Sequence, residues 1–184
     1  MTIDMTRHGG AAGLAVAEEI DRRGVWRVRT DFQTDVDEET GEERGVTFIE
    51  TEFPYKPSMD EVKEFVLAVI DAQTDAKILN GYPFTPDGAE EPIIVWLSKE
   101  SQTNFSEAHR LQIVPVKFKL NEDEQKQPIY HTFTDFEELD RFYKGGVVYI
   151  NQCLNEGWAV KDAIDWSPYE QALGISTAAA EPTE

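Results

Sequence analysis

Two long segments with apolar residues at helical spacing constrain the fold of this chain more than any other feature. They cover residues 58–77 and 135–155, and in both the apolar side chains recur at the i, i+3 and i+4 positions of a helix that buries one face. Each begins with the pattern of a capping box, in which a hydroxyl side chain and a glutamate three residues later bond each other's backbone amides. The two pairs are Ser58 with Glu61 and Thr134 with Glu137. The sequence therefore predicts two main helices.

Three glycines lie in or after the second predicted helix. Gly145 and Gly146 interrupt its apolar stripe, and each costs about 1 kcal/mol relative to alanine in a helix interior. At this point we expect either a bend or the close approach of another backbone. Gly157 predicts the end of the helix, and residues 158–164 predict a short final helix.

Shorter segments rich in β-branched and aromatic residues lie around these helices. Residues 25–29 and 46–53 predict a hairpin, with the acidic stretch 35–43 as its long loop. Further strands are predicted at 93–97, 114–120 and 129–133, and a short surface helix with Ser98 as its N-cap is predicted at 98–110. The sequence therefore predicts an α+β fold in which short antiparallel strands and hairpins pack against two main helices.

The two ends of the chain lack a strong pattern. Residues 1–13 are small and glycine-rich and predict a flexible arm, whereas residues 14–23 predict a short helix. Residues 171–184 predict a solvated, flexible tail. The predicted organisation is an arm with a short helix (1–24), a β-hairpin region (25–55), an α+β domain (56–170) and the tail (171–184).

The charge of the chain limits the partners that it can bind. It has 36 acidic residues against 17 Lys and Arg, which gives a formal net charge of −19. Direct binding to nucleic acid or to an anionic membrane needs clustered Lys and Arg, so neither is a predicted partner. Three explanations of the acidity stay open: solubility, steering toward a basic partner surface, and mimicry of DNA. The acidic residues are mixed with aromatic ones throughout, which disfavours mimicry.

The residues that most often carry chemistry do not form a recognisable site. His8, His109 and His131 have no metal-binding spacing. The single cysteine, Cys153, falls on the apolar stripe of the second helix, where a buried and inert thiol is expected. We therefore predict that the protein is not an enzyme, with no catalytic residue and no cofactor.

The acidic stretch that begins at Asp35 invites comparison with a calcium-binding loop. Such a loop needs glycine at its sixth position and glutamate at its twelfth. Counted from Asp35, those positions hold Thr40 and Val46. The stretch is therefore predicted to be a solvated hairpin tip, and no metal ligand is assigned.

Aromatic residues are the best candidates for contacts with a partner. Most tryptophans are expected in the core, yet Trp and Tyr are also enriched at the hot spots of protein interfaces. The proline-containing stretch 82–84 is expected to form an exposed aromatic cluster. The candidate partner-binding residues are Tyr82, Phe84, Trp96, Gln102, Asn104 and Phe105.

Several segments of the second half occur in an order that resembles a known family. They are 78–82, 95–98, 102–105, 115–119, 131–133 and 157–165. Together they are similar to a family of phage and prophage proteins, of formally unknown function, whose genes lie near tail and tail-fibre genes. The resemblance covers roughly residues 56–166. It implies an association with tail modules and supplies no catalytic residue, and residues 1–55 lie outside it.

The resemblance and the residue patterns together predict a non-enzymatic structural or assembly protein of the phage tail, acting through protein–protein contacts. Its predicted partners are other tail or tail-fibre proteins, with homo-oligomerisation left open. Its predicted location is the virion tail or, during assembly, the host cytoplasm. A glycine-rich arm and a hairpin suit docking by strand addition. The alternative is an acidic intracellular inhibitor of a host nucleic-acid enzyme, similar to a DNA mimic.

Overall fold

Helices and antiparallel sheets combine in an α+β fold, as predicted, in a computed structural model that describes residues 4–21 and 24–175. Within those residues the strands are β1 (Arg7–Gly10), β2 (Ala17–Glu19), β3 (Trp26–Val36), β4 (Glu43–Phe53), β5 (Tyr82–Phe84), β6 (Ile93–Val95), β7 (Val116–Glu122) and β8 (Pro128–Phe133). The helices are α1 (Met59–Asn80), α2 (Lys99–Arg110), α3 (Phe136–Asp162) and α4 (Ser167–Ala172).

The chain divides into two compact units. One comprises Met1–Ala72 with Lys161–Glu184, and the other comprises Gln73–Val160. Helices α1 and α3 therefore contribute residues to both units. Each unit has its own apolar core.

The first unit is built on a four-stranded antiparallel sheet with the strand order β1-β4-β3-β2. Its long hairpin of β3 and β4 confirms the predicted hairpin and carries the acidic stretch at its turn. Alternate side chains of the sheet enter a core that α1 and α4 complete. The buried members of this core are Ala17, Val28, Ile49, Val62, Phe65, Val66, Val69, Ile70, Tyr169 and Leu173.

Two predictions for the N-terminal residues are wrong. The stretch predicted as a flexible arm contains β1, which pairs with β4 from Arg7 opposite Ile49 to Gly10 opposite Val46. The short helix predicted at 14–23 is replaced by β2, which pairs with the start of β3. The long strands β3 and β4 offer backbone hydrogen bonds that neither a free arm nor a short isolated helix can match. Residues 1–3, 22 and 23 lie outside the described residues.

The second unit contains two antiparallel hairpins, β5 with β6 and β7 with β8. The Trp96 N–H donates to the Leu120 carbonyl at 2.9 Å, which joins β7 to the residue that follows β6. Strands β6, β7 and β8 and helix α2 lie where the sequence predicts them. The buried core, which includes Cys153 as predicted, consists of Ile78, Tyr82, Phe84, Val95, Leu97, Phe105, Leu120, Phe133, Leu139, Phe142 and Cys153.

Helices α1 and α2 begin with the caps that the sequence predicts. At α1 the Glu61 amide donates to Ser58 Oγ at 3.3 Å, and the Ser58 amide donates to Glu61 Oε2 at 2.8 Å. At α2 the Ser98 Oγ accepts from the Ser101 amide at 3.1 Å. These side chains satisfy amides that the first turn of a helix leaves without partners.

The cap predicted for α3 is wrong by one residue. The Glu138 amide donates to Asp135 Oδ1 at 2.9 Å, so Asp135 rather than Thr134 caps the helix. Aspartate is as good an N-cap as threonine and also carries the charge that the helix dipole favours at this end. A cap based on Asp135 shifts the start of the helix to Phe136.

The predicted break at Gly157 is also wrong, because α3 continues through it to Asp162 and no separate helix forms at 158–164. A Cβ at Gly157 would lie 2.5 Å from the Oγ1 of Thr74 in α1. Glycine therefore lets α3 approach α1 closely at this point.

Gly145 and Gly146 make room for an aromatic ring. The sequence predicts a bend or the close approach of another backbone at this point. Cβ atoms at these positions would lie 3.1 and 3.4 Å from carbons of the Tyr82 ring. The tyrosine hydroxyl donates to the carbonyl of Phe142, one turn earlier in α3. The two glycines thus allow Tyr82 to lie flat against the helix.

The C-terminal tail begins later than predicted. Helix α4 covers Ser167–Ala172, and Leu173 is 1% exposed in the core of the first unit. The start of the predicted tail at residue 171 is therefore wrong. Its residues 176–184 lie outside the described residues.

Candidate interaction surface

Strands β6, β7 and β8 present an outer side with aromatic, aliphatic and basic residues. Along β7, Phe118 and Leu120 belong to the core, whereas the intervening Lys117 and Lys119 are exposed. The strand register places Lys119 opposite Tyr130 of β8. The bond from the Trp96 amide to β7 brings Trp96 next to this pair. We call the exposed residues Ile94, Trp96, Lys117, Lys119 and Tyr130 the outer-face cluster.

Lysines and aromatic rings of the outer-face cluster lie over one another. Lys117 Nζ is 4.4 Å from the centre of the Tyr130 ring, and Lys119 Nζ is 5.7 Å from the centre of a Trp96 ring. Both distances fall within the range of about 6 Å for cation–π contacts. The two lysines therefore lie over the rings that the strand register places on this side.

The open side of these strands carries apolar side chains where polar ones are usual. Trp96 is 40% exposed, Ile94 is 42% exposed and Tyr130 is 52% exposed. The open side of an antiparallel sheet normally alternates to polar residues. Neighbouring exposed apolar side chains with a polar rim are typical of surfaces that bind another molecule.

The two lysines of the cluster differ in their pairing. Lys119 Nζ lies 2.6 Å from Glu122 Oε1 and forms an ion pair with it. Among the described residues, no carboxylate lies within ion-pair distance of Lys117, which lies over the Tyr130 ring. Lys117 is therefore the cation of this surface that can pair with a carboxylate from outside.

A groove leads from the outer-face cluster to the first half of α2. Its volume is about 390 Å³. The strands contribute Trp96, Lys117 and Lys119, and the helix side contributes Ser98, Glu100, Ser101 and Asn104. The groove thus combines an aromatic wall with hydroxyl, amide and charged groups that can bond a polar backbone.

The expectation of an exposed aromatic cluster at 82–84 is wrong. Tyr82 and Phe84 are each 5% exposed, and only Pro83 between them is exposed. The alternation of β5 turns both rings toward Phe142, whose ring centre lies 6.0 Å from that of Tyr82 and 5.0 Å from that of Phe84. Burial raises the pKa of the Tyr82 phenol. These two residues stabilise the core and are not available to a partner.

The other predicted partner-binding residues divide between the core and the groove. Phe105 is buried, with its ring centre 4.8 Å from that of Phe118. Gln102 is half-buried, and its Nε2 donates to the Leu97 carbonyl at 2.7 Å. Asn104 is exposed and lines the groove together with Trp96. The structure therefore brings two of the six predicted residues, Trp96 and Asn104, to one accessible place.

The residues that sequence reasoning missed are Ile94, Lys117, Lys119 and Tyr130. A signal for them exists in the strict alternation of residues 116–120, where the two lysines occupy every second position. Once Phe118 is assigned to the core, both lysines must lie on the opposite side of the strand.

A second, mostly apolar pocket lies between α2 and α3. Its volume is about 230 Å³, and its walls include Phe105, Tyr143, Val147 and Ile150. The polar side chains that line it are those of Gln102, Ser106, Tyr82 and Tyr143. The Gln102 amide and the Tyr82 hydroxyl already donate to backbone carbonyls.

Three carboxylates meet at the start of α3. Oxygens of Asp87, Asp135 and Glu138 lie within 4.8 Å of one another, a spacing that could hold a metal ion. Glu138 Oε1, however, accepts from the Asp87 amide at 2.8 Å and lies 3.0 Å from His131 Nε2. Asp87 also pairs with Arg141, and Asp135 caps the helix. These bonds account for the carboxylates as structural groups.

His109 is held in an aromatic stack. Its ring centre lies 4.2 Å from that of Tyr143 and 5.4 Å from that of Phe136, and its Nε2 lies 2.8 Å from Asp140 Oδ1. Hydrogen bonds from Lys144 and His109 lower the pKa of the Asp140 carboxyl. The arrangement joins α2 to the first turns of α3.

Comparisons with protein-family models, with curated proteins and with solved structures return no match for this chain. Among the helices of the described residues, none combines the length and the apolar character that crossing a membrane requires.

Proposed function

We propose that this chain is a structural or assembly protein of a phage tail and acts through contacts with other proteins. The observation that carries the contact role is the outer-face cluster, where Trp96, Ile94 and Tyr130 are exposed side by side. Hydrating such side chains is unfavourable, and covering them with a partner would stabilise the complex. The assignment to a phage tail rests on the resemblance of residues 56–166.

The contact surface in this proposal differs from the one that the sequence first suggested. Because β1 pairs with β4, residues 7–10 are not a free arm that could add to a neighbouring sheet. In this proposal the outer side of β6 to β8 makes the contact through its side chains, and it leads into the groove along α2.

Three carboxylates on the sheet of the first unit are already paired, which disfavours an acidic inhibitor that would act through this sheet. Arg27 pairs with Glu52 at 2.6 Å, and Arg29 pairs with Glu18 at 2.6 Å and with Glu50 at 3.2 Å. A DNA mimic needs rows of carboxylates that are free to bind a basic partner. Carboxylates that already have arginine partners are poorly suited to that task.

Quantitative mass spectrometry of purified phage particles and of the producing cells tests the proposal. A structural protein is expected in particles at a fixed ratio to the portal protein, and that ratio would indicate its symmetry. An assembly protein is expected in the cells only, cross-linked to tail proteins. If the protein is absent from particles and cross-links to a host nuclease, the inhibitor is the correct function and the tail assignment is wrong.

A further inference from the structure

We propose that the outer-face cluster binds an extended acidic segment of another protein. This inference deepens the proposed contact role by naming the chemistry of the partner. It depends on the local charge, on the open side of the sheet and on the groove beside it.

Two lysines lie on the outer side of strands β6 to β8, with Glu122 and Glu100 at its edges. Segments 93–97, 116–120 and 129–133, which form this part of the sheet, contain two lysines and no acidic residue. The whole chain has 36 acidic residues. A carboxylate of a partner is repelled by most of the molecule and attracted by Lys117, which pairs with no carboxylate of the described residues.

Lys117 is the group that selects a carboxylate. It lies in the middle of β7, over the Tyr130 ring at 4.4 Å, and no described carboxylate pairs with it. A carboxylate that approaches Lys117 would form an ion pair with it, and the attraction becomes stronger as the bound segment covers the exposed Tyr130 ring and displaces water. Lys119 already has Glu122 at 2.6 Å and is expected to contribute less.

The shape of the surface suits an extended chain. An extended segment that lies on this surface turns every second side chain toward it. Successive residues of that inward set can then place an apolar side chain against Ile94 and Trp96 and an acidic one toward Lys117. The groove then offers Ser98, Ser101 and Asn104 to polar groups of the same segment.

Single-stranded nucleic acid uses similar surfaces but fits this one less well. Its bases stack on exposed aromatic rings, and its phosphates need a basic groove that follows the backbone. Here lysines lie over the Tyr130 and Trp96 rings, in the place where a base would stack. The two lysines of the cluster do not form a basic groove that a phosphate backbone could follow.

Titration of the ¹⁵N-labelled full chain with two synthetic peptides tests the inference. Both have eight residues with serine at every second position. At the positions between the serines, glutamate alternates with valine in one peptide, and lysine replaces each glutamate in the other. We expect the acidic peptide to shift amide signals of 93–97, 116–120 and 129–133, and the basic peptide to leave them unchanged. In Lys117→Gln we expect the affinity for the acidic peptide to fall about tenfold.

Three variants serve as controls. Lys144→Gln removes the same charge from the exposed surface of α3 and should keep the affinity within about twofold of the original. Lys117→Arg should retain binding, and Tyr130→Thr should weaken it while the strand is preserved. The amide spectrum of each variant without peptide reports directly whether it is folded.

Several results would overturn the inference. They are equal binding of both peptides, tighter binding of oligothymidine than of the acidic peptide, and unchanged affinity in Lys117→Gln. A fourth is sedimentation that shows the protein self-associating through the outer-face cluster. The peptide titration does not depend on the origin of the protein. A negative titration would leave the tail assignment standing, and absence from phage particles would leave the peptide result standing.

Discussion

At the scale of single residues, Gly157 shows how a glycine can stabilise a helix pair. Alanine is normally better than glycine in a helix by about 1 kcal/mol. At Gly157 its Cβ would lie 2.5 Å from Thr74 Oγ1, which forces one of the helices or the threonine to move. Such overpacking costs about 1–3 kcal/mol. We therefore expect Gly157→Ala to lower the free energy of unfolding by about 1 kcal/mol overall.

A double-mutant cycle with Thr74→Ala separates the clash from other effects. If Thr74 Oγ1 is the obstacle, Gly157→Ala should be harmless or stabilising in the Thr74→Ala background. Urea unfolding of the four proteins measures this coupling. Strictly additive effects would show that the two residues do not meet.

The burial of Tyr82 predicts that the stability of the protein falls at alkaline pH. Burial raises the pKa of its phenol above the ordinary value of 10.0, which it regains in the unfolded chain. As the pH rises through about 10, the unfolded state releases this proton while the folded state keeps it, so the free energy of unfolding falls. We expect Tyr82→Phe to lose less stability than the original protein between pH 9 and about 11. Chemical denaturation at each pH measures the free energy of unfolding. An equal loss of stability in Tyr82→Phe and in the original protein would contradict this role of Tyr82.

At the scale of elements, the structure shows which of two neighbouring residues, Thr134 or Asp135, caps helix α3. Asp135→Ala should destabilise the protein by about 1 kcal/mol, because the Glu138 amide loses its acceptor. Ser58→Ala should cost a similar amount at α1. Thr134→Ala is the matched control and should cost only a few tenths of a kcal/mol. Thermal unfolding monitored by circular dichroism compares the three, and equal effects of Thr134→Ala and Asp135→Ala would contradict the assigned cap.

Helix α3 shows which features can be predicted from the sequence and which cannot. The stripe that includes Leu139 and Phe142 predicts α3 because local spacing alone defines its buried side. Gly157 looks like a helix end because its reason for being glycine is Thr74, a residue far away in the chain. Ala17 is misassigned for a related reason, since only pairing with β3 makes its segment a strand. Local patterns are readable, whereas long-range contacts that override them are not.

The candidate surface was predictable to a similar extent. Trp96 follows an apolar strand and could be proposed as a contact residue from its type alone. Whether its ring enters the core depends on the pairing of neighbouring strands, because a shift of one residue moves every side chain to the other side of a sheet. The register of β7 with β8 assigns Lys119 and Tyr130 to the same side as Trp96, and that register is a property of the folded sheet.

At the scale of the whole molecule, the net charge of −19 makes stability depend on salt. Repulsion among carboxylates weakens the compact state more than the expanded unfolded chain, and dissolved ions screen it. The Debye length falls from about 30 Å at 0.01 M to about 8 Å at 0.15 M ionic strength. We therefore expect the melting temperature to rise by several degrees over this range of sodium chloride.

The acidic turn between β3 and β4 allows this salt effect to be assigned to charge. Glu38, Glu39 and Glu42 are exposed there, and they have no arginine partner among the described residues. Replacing all three with glutamine should raise the melting temperature at 0.01 M salt and reduce its rise toward 0.15 M, because less repulsion remains to be screened. Substituting the exposed Gln125 and Gln127 by asparagine is a charge-neutral control and should leave the salt dependence unchanged. Calorimetry at both ionic strengths measures the difference, and a salt response that is equal in the two variants would mean that screening of carboxylate repulsion at this turn is not its cause.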